Sequence, residues 1–205
     1  MPHGPSATLA TTLLAAATLL LLPAAPAAAI DCVRATQPME VQVCRDAGLS
    51  ALDREVQRLV AAARPSLSGR RLESLDETQR AWLLRRGDCR NAVDPRACLL
   101  AVHLDRIATL RQHHAGVRGP ADQGTSRGPV GFDCGGHTLA ATFVTGEPAM
   151  VHLRYRGRGY ALTRAPDGGE GRYVGAGGAE LTRKGNEAAV TLPDRLPLTC
   201  RERAG

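Results

Sequence analysis

Six cysteines constrain this chain more than any other feature. All lie beyond residue 30, four of them (Cys32, Cys44, Cys89 and Cys98) in one half and two (Cys134 and Cys200) in a half of different character. An even number of cysteines behind an export signal is the arithmetic of disulfides. Zinc is the competing use of such residues. The eleven residues between Cys32 and Cys44, and the eight between Cys89 and Cys98, fit no compact metal knuckle, so no metal is expected. Four cysteines allow three connectivities, and the pairing of the first four stays open.

Export is read from the N-terminus. Residues 13–22 are Leu, Ala and Thr, followed by Pro23 and the small-residue stretch 24–29. An apolar core of about ten residues before Ala27-Ala28-Ala29 reads as a secretory signal peptide over 1–29, since a membrane span needs about twenty. Cleavage is expected near Ala29, giving a soluble periplasmic or secreted protein. Asp31 precedes Cys32, where a lipidated cysteine would need a small residue.

Residues 30–114 read as helical. Val41, Cys44, Leu49, Leu52, Val56, Leu59 and Ala63 form one amphipathic stripe, ended by Arg64-Pro65. A second stripe runs through Leu72, Leu75, Gln79, Trp82 and Arg86. A third helix starts at Asp94-Pro95, an N-cap followed by proline in the first turn. The expectation is a three-helix bundle with its four cysteines gathered at one end. Two disulfides of about 2–4 kcal/mol each would matter to so small a core. Residues 115–130 have little apolar content and much Gly, Pro and Ser, the composition of a flexible linker.

Residues 131–205 change to short alternating runs separated by glycine-rich turns, which indicates a small antiparallel barrel or sandwich. Cys134 opens this module and Cys200 closes it. A bond between them would tie the first strand to the last and contribute about 4 kcal/mol. The whole is therefore an α+β chain of two domains.

The net charge of +6 comes from 26 basic and 20 acidic residues, and Lys184 is the sole lysine. Charges of both signs mix along the chain, and aromatic residues make up 3%, so neither a nucleic-acid partner nor a stacking platform is expected. The chain has no G-x-S-x-G element, and its Gly175–Gly178 run lacks the strand and helix that a dinucleotide loop needs. No enzyme activity and no cofactor are expected.

Two family resemblances follow from particular residues. Asp31-Cys32, Val43-Cys44, Leu52-Asp53, Gln79 to Leu83 with Arg86 and Cys89, and Cys98-Leu99 resemble the LprI-type lysozyme-inhibitor domain, with His103 where tyrosine is usual. Phe132-Asp133-Cys134, Gly168 to Tyr173, Lys184 to Ala188 and Cys200 resemble the MliC/PliC inhibitors of c-type lysozyme. The second resemblance implies an eight-stranded β-barrel. It also implies a lysozyme-binding set of Lys184, Gly185, Tyr173, Gly169, Glu170 and Ala188. Lys-Gly-x-x-Ala is intact, whereas Gly169 and Glu170 stand where the family has serine and glycine. Together the resemblances imply a periplasmic inhibitor of c-type lysozyme, close to the cell wall, whose Lys184 loop enters the glycan cleft. Asp167, Glu170, Glu180 and Glu187 are the acids expected near its rim. The alternative is a non-inhibitory adaptor of the cell envelope.

Overall fold

A computed structural model describes Met1 and residues 29–119, 123–167, 169–193 and 195–203. The expected signal peptide lies outside the described residues except for its ends. No helix among the described residues is long and apolar enough to cross a membrane.

Four helices form the first half: α1 (Pro38–Arg45), α2 (Ala47–Ala63), α3 (Arg70–Asp88) and α4 (Pro95–His113). The stripe expected as one helix over 41–63 is split at Asp46. That residue is extended, and its carboxylate accepts the Leu49 N–H at 3.0 Å, capping α2 instead of continuing α1. The buried stripe of α2 (Leu49, Leu52, Val56, Leu59, Val60) meets Leu99, Leu104, Ile107 and Leu110 of α4. Trp82 of α3 is fully buried between them, and its indole N–H donates to the Val102 carbonyl at 3.2 Å. Asp94 caps α4 as expected, accepting from Ala97 N–H at 2.9 Å. The disulfides are local: Cys32–Cys44 fastens the entering chain to α1, and Cys89–Cys98 bridges the corner between α3 and α4.

The second half is a closed antiparallel barrel in simple sequence order. Its strands are β1 (Ser126–Asp133), β2 (Thr138–Val144), β3 (Met150–Tyr155), β4 (Arg158–Arg164), β5 (Arg172–Gly175), β6 (Glu180–Lys184), β7 (Glu187–Thr191) and β8 (Leu198–Glu202). Period-2 alternation sends Phe132, Leu139, Ala141, Leu153, Leu181 and Val190 inward. The barrel closes where Phe132 and Asp133 pair with Glu202 and Arg201, which leaves no free sheet edge. Cys134–Cys200 spans that seam, joining the first strand to the last.

The two halves are not held apart by a 115–130 linker. Residues 115–117 make a 3-10 turn with Val117 1% exposed, and β1 already begins at Ser126. Ser126 N–H donates to the buried Glu55 of α2 at 3.2 Å, and its hydroxyl also donates to that carboxylate. Arg111 of α4 donates to the Gly128 carbonyl at 2.9 Å. Glycine is required at 128, because φ is +116° and a Cβ would lie 2.7 Å from the Ala141 carbonyl oxygen. Residues 126–130, linker-like by composition, therefore form the bulged start of β1, where helix side chains bond the Ser126 N–H and the Gly128 carbonyl. Val144 and Met150, on the outer face of β2 and β3, join the helical core.

Candidate functional site

Up-and-down topology brings the β2–β3, β4–β5 and β6–β7 connections to one end of the barrel. Most of the residues singled out in the sequence converge there. Lys184 ends β6 opposite Glu187 in the hairpin, and it is exposed. Among the described residues its ammonium has no ion-pair partner. Gly185 opens the two-residue turn with φ +59°, a left-handed geometry that favours glycine. Asn186 accepts the Glu202 N–H at 2.7 Å, which ties the tip to β8.

The neighbour that holds this tip is Arg183, which the sequence reading passed over. Its Nε donates to the Gly185 carbonyl at 3.1 Å and its Nη2 to Glu202 at 2.5 Å. The guanidinium lies 5.5 Å from the Phe143 ring centroid. Phe143 meets Tyr173 edge-on at 6.1 Å. Gly171 approaches so closely that a Cβ there would lie 2.3 Å from the Arg183 carbonyl oxygen. Phe143, Gly171, Tyr173, Arg183 and Gly185 line a cleft of about 340 Å³ at the barrel mouth. The alternation of β2 could have flagged Phe143. Gly171 lay inside the Gly168 to Tyr173 stretch without being singled out, and no sequence signal marked Arg183.

Other expected site residues occupy different layers. Tyr173 is 7% exposed and Ala188 2%, so both sit beneath the surface of this end, Ala188 in the barrel core. Gly169 has φ +61° in a 3-10 turn. The side chain of Glu170 lies outside the described residues. The rim acids have partners within the chain: Asp167 and Glu180 both bind Arg172, at 3.2 and 3.0 Å, and Glu187 binds Arg201 at 3.1 Å. The hydrogen bond from Arg172 holds the Glu180 carboxyl below its ordinary pKa. No group of three or more His, Cys, Asp or Glu among the described residues is arranged to hold a metal ion.

Comparison with known proteins divides along the same boundary. Residues 132–198 match the MliC family, described as membrane-bound lysozyme-inhibitor of c-type lysozyme. Lipoprotein LprI of Mycobacterium bovis is 31% identical over 81 residues, 40% of this chain and 40% of the relative. Lipoprotein LprI of two Mycobacterium tuberculosis strains matches equally. The matched stretch is thus well under half the length of these curated relatives. No solved structure matches the chain. The chain therefore joins a helical region related to LprI to a C-terminal barrel of the MliC type.

Proposed function

We propose that this protein is a non-enzymatic inhibitor of c-type lysozyme, acting in the cell envelope after export. The observation that carries the reading is the placement of the sole lysine, unpaired among the described residues, on an exposed hairpin tip of an MliC-type barrel. Glycan hydrolysis of this class uses two carboxyls, one protonated as general acid and one ionised. An ammonium on a flexible stem enters a sugar-shaped groove more readily than an arginine fork. Beside the acid it favours the ionised form and so opposes proton donation, while its bulk excludes substrate. Arg183 orients the tip, and Gly185 lets the backbone approach. The chain's charge of +6 works against long-range attraction to a cationic enzyme, so binding depends on short-range fit. Glu187 and Arg201, both well exposed, can exchange their mutual contact for one with the enzyme.

A turbidity assay tests this reading. Purified mature protein should slow clearance of a cell suspension by c-type lysozyme, and Lys184→Ala should slow it far less. Failure of the wild type to slow clearance would leave the adaptor reading, which the glycine at 169 favours.

A further inference from the structure

The most buried acid of the helical half is Asp53, 2% exposed on α2. Arg86 donates to it at 3.1 Å, and the same guanidinium reaches Glu40 at 3.3 Å. His103 also faces it, with Nε2 3.6 Å away. The remaining partner is a backbone group: Ile30 N–H donates to Asp53 Oδ2 at 2.9 Å. Ile30 is the residue that follows Ala27-Ala28-Ala29. Its side chain packs on the helical core, and Cys32, two residues on, is bonded to Cys44. A cavity of about 100 Å³ lies at this point, lined by Ala29, Ile30, Ser50, Asp53 and the exposed Arg54 among others.

We infer that Ile30 is the mature N-terminus and that its α-ammonium forms a buried ion pair with Asp53. The step is hydrolysis by an export endopeptidase. Water adds across the Ala29–Ile30 peptide bond, Ala29 leaves with the carboxylate, and the freed Ile30 amine takes up a proton. Two carboxylates, Asp53 and Glu40, share the site's one buried guanidinium in the uncleaved chain, and Arg54, the arginine that lines the cavity, is exposed, so the buried side of the site lacks a positive charge. Cleavage supplies that charge within hydrogen-bond distance of the more buried carboxylate. Removal of Ala29 opens the cavity to the two added N–H groups. Processing thus completes the core of the helical half, and the inference is independent of lysozyme inhibition.

The full chain is expressed from Met1 in an export-competent bacterium and its exported form weighed by mass spectrometry. Ile30 as first residue is expected, and any other start overturns the inference. The mature protein is then compared with a form carrying one extra N-terminal alanine, which keeps Asp53 in place. The extension should lower Tm by about 5 °C. An equal Tm overturns the ion pair. The opposing carboxylate raises the pKa of an amine, and burial lowers it. With the carboxylate dominant, the 15N resonance of the Ile30 amine should titrate above the usual value of about 8. Titration at or below that value also overturns it. Asp53→Asn, if it folds, should remove the difference between the mature and extended forms.

Discussion

The helical half and the barrel solve the same problem, a small core, in opposite ways. The barrel fills its interior with apolar side chains and closes its seam with one long-range disulfide. The helical half buries charge: Asp53, Glu55, Arg86, Arg106 and His103 are all under a tenth exposed. Its two disulfides brace local corners instead of distant strands. Burial outweighs the other influences on Arg106 and brings its pKa down to about 10. Burial opposes the charge of Asp53 and Glu55 as well. Hydrogen bonds from their partners prevail, and both carboxyls titrate below their ordinary values. The difference implies that the barrel can tolerate change at its exposed end, whereas the helical half depends on every member of its polar network.

Substitutions sharpen that contrast, and the largest effect is expected in the helical core. Trp82→Ala removes a fully buried ring and a hydrogen bond, at a cost of about 5 kcal/mol in denaturant unfolding. Replacing Cys134 and Cys200 together with serine should cost the barrel about 4 kcal/mol and leave the helical signal in place. Equal losses from both halves in that variant would show that they unfold as one unit.

The contact between the halves supplies a pH dependence. His152 of β3 is 2% exposed against α4, facing Asp105, with Arg154 beside it. Burial is the main cause that lowers its pKa from 6.5 to about 4, with Arg154 adding to the effect and Asp105 opposing it. The folded state thus binds the proton less readily than the unfolded chain. Its contribution is present above pH 6.5 and is lost as the pH falls toward 4, up to about 3 kcal/mol. The depressed carboxyls of Asp53 and Glu55 lose their contribution in the same direction, at lower pH. His152→Gln should flatten the stability profile between those two values, and an unchanged slope would assign it to other groups. The smallest effect is expected at the exposed pair: Glu187→Ala should change stability by less than about 1 kcal/mol.

Much of this was legible in the sequence, for reasons that differ by region. Strand alternation, glycine-rich turns and terminal cysteines are local signals, so the barrel and Cys134–Cys200 could be read directly. The hairpin at Lys184-Gly185 was legible because its turn chemistry is written in adjacent residues. Asp46 carried a cap signal that the apolar stripe around it concealed. Arg86 stood on the stripe of α3, but its partners and the burial of Glu55 and Arg106 were not legible, because a charge pattern does not tell which partner lies across the fold. Gly128 and Ser126 looked like linker for the same reason: their partners Glu55 and Arg111 are far away in sequence. Arg183 and Phe143 meet only once the barrel has closed.

The proposed role of the hairpin is tested most directly by calorimetric affinity for c-type lysozyme, measured for the wild type and for Lys184→Ala at matched stability. The account expects measurable binding by the wild type and a loss of about thirtyfold or more in the variant, the scale of an interface hot spot. Equal affinity of the two proteins, or no binding by the wild type, would contradict it.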